Sequence, residues 1–221
     1  MNQTSSDQAI ARFDTDASAR KYAAALVGTS TDRRERRCIA RALAAVPAGA
    51  AVLDLPSGAG RLLPLLCGLG YRVTAADSSA HMIGQARQYA TSQGLELGAD
   101  RFIVADVMHT SFSDNAFEAV VCNRLFHHFS ESSVRQSALR ELRRVCSGTI
   151  LVSFFRDFGW DAFTFRLKNW LYRRRPTDRV PISLATFRKD IQAAGLSITA
   201  TIGVSPLVSK QWYVVLERTT R

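Results

Sequence analysis

Short apolar runs and polar breaks alternate through the middle of the chain. Ala51 to Leu55, Tyr71 to Ala76, Phe102 to Ala105, Phe117 to Cys122 and Thr149 to Phe155 are compact apolar runs. Acids, glycines or polar turns punctuate them, which predicts buried strands. Between them the apolar spacing turns helical. Asp32-Arg33-Arg34-Glu35 has capping-box spacing, and the helix it opens is expected to run to about Val46, before Pro47 and Gly49. A helix from Arg61 ends near Cys67-Gly68. Another, capped by Ser78 or Ser79, carries Met82, Ile83 and Ala86 and closes at Gly94. A fourth starts at Ser130 or Ser132 and runs to about Val145. Residues 1 to 16 read as a polar arm, and Ala17 to Val27 as a short helix ended by Gly28.

Regular alternation of strand and helix predicts βαβ units and a parallel sheet. The last part breaks the pattern. Phe187 to Ala194 is helical, and Ser197 to Val204 and Trp212 to Leu216 are strands joined by a short loop. A connection that short excludes a parallel crossover, so the pair is expected to be an antiparallel hairpin. Residues 156 to 185 stand apart, with aromatics such as Phe158, Trp160, Phe163 and Trp170 interleaved with Arg156, Arg166, Lys168 and Arg173 to Arg175. Phe163, Leu167, Trp170 and Leu171 share helical spacing, so part of this insertion is an amphipathic helix. The expected organisation is one domain: an N-terminal arm and cap helices (1–46), a core (47–155), a cap insertion (156–185), and a final helix and hairpin (186–221).

The stretch with most chemistry is Ala51 to Arg61, a strand, a turn containing Gly58 and Gly60, and a helix start. In open α/β sheets a nucleotide-like ligand lies at such a crossing. Three acids end successive strands or lie beside their ends: Asp54, Asp77 and Asp106. Asp77 comes about twenty residues after the glycine turn, where a carboxylate accepts from the ribose hydroxyls of an adenosine cofactor. The dinucleotide pattern wants a third small residue, and this chain has Leu63 there. That weakens a pyrophosphate site and disfavours a nicotinamide-dependent oxidoreductase.

On these residues the chain resembles the class I S-adenosylmethionine-dependent methyltransferases of small-molecule type. Asp54-Leu-Pro-Ser-Gly58-Ala-Gly60-Arg61 looks like their first motif, with proline at the first glycine position. Tyr71 to Asp77-Ser78, Val104 to Val107 and Phe117 to Phe129 look like the next three. The resemblance spans roughly residues 20 to 218. It implies a Rossmann-like, doubly wound α/β sheet of seven strands, mostly parallel, with a C-terminal antiparallel hairpin. It implies S-adenosyl-L-methionine as cofactor. Ser57, Gly58 and Gly60 would pack on its methionine part, with Asp54 near the amino group. Asp77, followed by Ser78, would bind the ribose, and Met82 would cover the adenine. Asp106 and the Val107 N–H would bind the adenine edge, and the Asn123 backbone would lie beside the sulfonium. His127 or His128 is the candidate catalytic base. Arg124 and His127 stand where metal-dependent relatives carry acids, so no metal is expected.

Charge and composition bear on the acceptor. The net charge is +10 and the isoelectric point about 10.1, which suits an anionic partner or a solvated arginine surface. The motif after the fourth strand lacks the proline pair of nucleic-acid base methyltransferases, so no nucleic acid is expected. The arginine-rich segment 17–46 and the insertion 156–185 are expected to cap the acceptor, with Tyr22, Arg33, Arg124, Phe155 and Trp160 as candidate contacts. A small anionic or amphiphilic acceptor is indicated, with peripheral membrane contact open. Cys38, Cys67, Cys122 and Cys146 form no CxxC pair, and Met1 to Asp7 lacks a basic-then-apolar leader pattern. Free thiols and a cytoplasmic enzyme are the expectation. A binding subunit without catalysis is the alternative.

Overall fold

The computed structural model describes Ser5 and residues 27–171 and 179–219, except for the side chains of Arg166 and Trp170. The helix expected up to Val27, and Tyr22 within it, lie outside the described residues apart from Val27. The strands are β1 (Ala51–Asp54), β2 (Arg72–Asp77), β3 (Phe102–Val104), β4 (Phe117–Cys122), β5 (Cys146–Phe155), β6 (Leu196–Gly203) and β7 (Gln211–Arg218). The helices are α1 (Ser30–Ala42), α2 (Leu63–Gly68), α3 (Ala80–Ser92), α4 (Ser132–Val145), α5 (Trp160–Leu171) and α6 (Leu184–Ala193).

The sheet runs β3-β2-β1-β4-β5-β7-β6. The first five strands pair in parallel, and β7 is antiparallel to both β5 and β6. This is the mostly parallel sheet with a terminal hairpin that the apolar pattern predicts, and the seven-stranded, doubly wound form that the resemblance implies. The reversal of strand order at β1 and β4 leaves a crevice beyond their carboxyl ends, where such folds take ligands. Strand residues alternate between two apolar layers. Leu53, Val120, Ile150 and Val152 face α4 and α6, while Val52, Ala119, Val121 and Leu151 face α1, α2 and α3. Both faces are covered, which explains why the central strands read as unbroken apolar runs.

Several boundaries differ from expectation for identifiable reasons. Helix α1 starts earlier, because Thr29 rather than Asp32 is its cap, accepting from the Asp32 N–H at 3.1 Å. It ends at Ala42 rather than near Val46, and the Tyr71 hydroxyl donates to the Leu43 carbonyl at 3.0 Å. Helix α2 starts at Leu63 rather than Arg61, because the positive φ of Gly60 delays it and Pro64 fits only its first turn. Strand β5 starts at Cys146 rather than Thr149, continuing straight from α4 without a turn. The buried Arg135 of α4 donates to Asp190 of α6 at 2.7 Å and to the Phe129 and Ser130 carbonyls. The ion pair joins α4 to α6, and the two carbonyl bonds tie the loop after β4 to α4.

Candidate functional site

The loops after β1, β2, β3 and β4 wall a single crevice. Its first wall is the turn Leu55 to Leu62, which begins with a cis Leu55-Pro56 bond. Gly58 and Gly60 lie at φ 54° and 80°, where glycine escapes the Cβ penalty. Gly58 lines the crevice; Gly60 lies behind it. A Cβ on Gly60 would come within 2.9 Å of the Leu63 side chain and 3.1 Å of the Ala86 backbone. Gly60 therefore lets the turn sit tightly on α3, with the fully buried Leu63 filling the space beneath.

Asp77 ends β2 and lines the crevice with Ser78 and Met82. Its Oδ2 accepts from the Gly58 N–H at 2.9 Å and its Oδ1 from the Ser79 N–H at 3.0 Å. Burial pushes its pKa up, and N–H donors of Ser79, Gly58 and Ser78 oppose that shift. The same carboxylate thus braces the glycine turn and the start of α3, which Ser79 caps by accepting from the Met82 N–H. On the β3 side, Asp106 accepts from the Met108 N–H at 2.9 Å and lines the crevice beside Ala105 and Val107.

Asp54 ends β1 and behaves differently. It is fully buried behind the crevice wall, and neither carboxylate oxygen has a partner among the described residues. Burial pushes its pKa up to about 8; Arg61 pulls it down and Asp77 pushes it further up. A buried orphan carboxyl is costly unless something pairs with it.

The fourth wall is the loop after β4. Asn123 accepts from the Tyr213 hydroxyl at 3.0 Å. Arg124 holds φ 61°, uncommon for a residue with a Cβ, and its N–H donates to the Ser153 hydroxyl at 2.6 Å. The Arg124 guanidinium pairs with Glu35 at 2.7 Å. Glu35, fully buried on α1, also takes Arg61 at 2.8 Å, while Asp32 takes Arg61 and Arg36. Two acids on one face of α1 therefore clamp the glycine turn and the β4 loop together. The sequence reading assigned Asp32 and Glu35 only to a helix cap. Their spacing of three, which places them on one helical face, was the visible signal.

The two histidines part company. His128 lines the crevice, whereas His127 lies behind it. The His127 ring stacks on Phe155 with centroids 3.9 Å apart and planes at 4°, and its Nδ1 has no hydrogen-bond partner among the described residues. Burial, then His128 and Arg124, holds its pKa well below the usual imidazole range. Of the candidate acceptor contacts, Arg124 lines the crevice. Arg33 projects from the exposed face of α1, Phe155 lies under His127, and Trp160 is 64% exposed on α5. Val27, Arg61, Tyr89, Leu125 and Phe129 line the crevice without having been singled out from the sequence.

This sheet order, with the glycine turn after β1 and an acid ending β2, is similar to that of the class I S-adenosylmethionine-dependent methyltransferases. Residues 52–148 match a family model described as a methyltransferase domain. The chain is 36% identical over 148 residues to a demethylmenaquinone methyltransferase of Thermus thermophilus, covering 65% of this chain and 64% of that one. It is 30% identical over 129 residues to the demethylmenaquinone methyltransferase of Thermotoga maritima, covering 54% and 52%. The chain thus spans less than two thirds of either relative. Its fold is similar to that of the magnesium protoporphyrin IX methyltransferase of Synechocystis with bound S-adenosylhomocysteine, with a TM-score of 0.72 and 16% identity, covering 97% and 99% of the two chains.

Proposed function

We propose that the protein uses S-adenosyl-L-methionine to methylate a small amphiphilic acceptor. The observation that carries this reading is the contrast between Asp77 and Asp54 at neighbouring strand ends. Asp77 faces the crevice, already aimed by two backbone N–H donors, and suits a pair of ribose hydroxyls. Asp54 has no partner among the described residues just behind the glycine turn, and a cofactor amino group, directly or through water, would supply the missing charge. Met82 and the Asp106–Val107 segment would hold the adenine, and the Asn123 backbone would lie beside the sulfonium.

The reaction needs little acid–base chemistry at the cofactor. S-adenosyl-L-methionine, when bound, would supply a methyl group activated by positive sulfur, which the acceptor's electron pair would take while the C–S bond electrons return to sulfur and give neutral S-adenosylhomocysteine. Alignment of the two reactants is the main contribution, worth up to roughly 7–11 kcal/mol in well-oriented systems. A proton released by the acceptor would pass to His128, which lines the crevice; His127 serves as the buried stack that holds it. The relatives' names favour an amphiphilic ring acceptor over a nucleic acid. Calorimetry with S-adenosylhomocysteine tests the cofactor assignment, with the dinucleotide NADH as the contrasting ligand. Binding of NADH in place of S-adenosylhomocysteine would overturn it.

A further inference from the structure

Among the described residues, a run of exposed apolar side chains lies away from the crevice. Trp160, Phe163, Leu167 and Leu171 recur at helical spacing on α5, and their exposures run from 42% to 64%. The stripe that would normally pack inward therefore faces outward. Leu207 and Val208, 77% and 56% exposed, sit beside it, because the N–H groups of Trp160 and Asp161 donate to their carbonyls at 3.1 and 3.0 Å. A surface of this kind marks an interaction site.

Its borders are basic. Arg34 donates to the Ser205 hydroxyl at 3.2 Å, which brings the outer face of α1 against the loop that carries Leu207. That face also exposes Arg33, Arg37 and Arg41, spaced four apart. Lys168 is exposed on α5 itself, and the whole chain carries a net +10. Aromatic and leucine side chains flanked by cations, on a helix too short to span a bilayer, are the composition of an element that lies in a membrane interface. We propose that α5 and the loop 205–209 dock on the surface of an anionic bilayer, with the α1 arginines on the headgroups.

The position of this surface links it to the proposed reaction. Lys210 lies over the rings of both Phe155 and Phe165, at 4.6 and 4.4 Å. Phe155 stacks on His127, which touches His128 in the crevice wall. The docking helix is thus joined to the acceptor side, and an amphiphilic acceptor would arrive from the bilayer. This last step rests on the methyltransferase reading; the docking itself does not.

Vesicle co-sedimentation tests the docking, using neutral phosphatidylcholine vesicles and vesicles containing phosphatidylglycerol. The full chain is expected to bind the anionic vesicles and to lose binding as salt rises. Trp160→Ser with Leu207→Ser, and separately Arg33→Gln with Arg37→Gln and Arg41→Gln, should each weaken binding about tenfold or more. All these side chains are exposed, and S-adenosylhomocysteine calorimetry on the same variants checks that the fold and the cofactor site persist. Equal binding to neutral and anionic vesicles, or no effect of either variant set, would overturn the proposal. So would a concentration-dependent dimer lost in Trp160→Ser with no vesicle binding, since it would assign the face to a second copy. Vesicle binding without S-adenosylhomocysteine binding would leave the docking standing and sink the methyltransferase reading instead.

Discussion

The two halves of the crevice are built on opposite terms. On the β1–β3 side, short loops leave the strand ends at once, and backbone N–H groups aim the Asp77 and Asp106 side chains. On the β4–β5 side, the wall is side chain on side chain: His128 on His127, His127 on Phe155, and Lys210 over Phe155 and Phe165. The first half is specified by local chain geometry and suits one invariant ligand. The second depends on residues distant in sequence and can be retuned by changing a few of them. A cofactor site and an acceptor site have these opposite needs.

Four experiments can break or sharpen that division. The largest effect is expected for Asp77→Ala, which removes both the proposed ribose acceptor and the brace on the glycine turn. Two hydrogen bonds to a charged group correspond to about a thousandfold in affinity. Calorimetry with S-adenosylhomocysteine measures it, and unchanged affinity would sink the ribose assignment. Next, His128→Ala should lower turnover about a hundredfold, the low end for a general base, while leaving cofactor affinity intact. A matching loss in His127→Ala without loss of stability would move the base to the buried ring.

Glu35→Gln asks whether the two halves are held together by α1. Removing the buried charge leaves Arg61 and Arg124 facing each other without it. The expected cost is about 2–3 kcal/mol, less than for a fully buried pair because both arginines keep some water contact. Thermal unfolding would show it, and an unchanged midpoint would mean that the clamp is dispensable.

The fourth experiment reads the pH dependence that Asp54 sets. Its pKa is raised from 3.8 to about 8 by folding, so between those values the folded state holds the proton more tightly than the unfolded chain. The stability linked to Asp54 is therefore full below about pH 4 and is lost as pH rises through about 8. Asp54→Asn should flatten that decline in the ligand-free protein and weaken S-adenosylhomocysteine binding. His127 runs the other way. Its lowered pKa means that its contribution is present above the ordinary imidazole value and is lost as pH falls below it. A pH titration of unfolding that keeps the alkaline decline in Asp54→Asn would assign it elsewhere.

Much of the β1–β3 half was legible in the chain because its residues are close neighbours in sequence. The glycine turn, Asp77 and Met82 lie within about thirty positions, and strand, turn and helix periodicity place them on one edge. Asp54 was legible as a strand-end acid, but only packing decided that it sits behind the wall without a partner. The alternatives at Ser78 or Ser79 were settled in the same way, by which hydroxyl reaches the Met82 N–H.

Fold class and the terminal hairpin follow from apolar periodicity and loop length, which are local quantities. The glycine turn and Asp77 follow from backbone requirements that only certain residues meet. The tertiary structure alone decided which of two adjacent histidines meets the crevice, because one residue step in the short 3₁₀ turn Phe126–His128 swings the side chain by about 120°. It also decided that Asp32 and Glu35 bridge three elements, since their arginine partners lie from four to 89 positions away. And it turned the apolar stripe of α5 outward, which helical spacing alone leaves undetermined: amphipathicity gives a helix a face, and only the neighbours settle what that face meets.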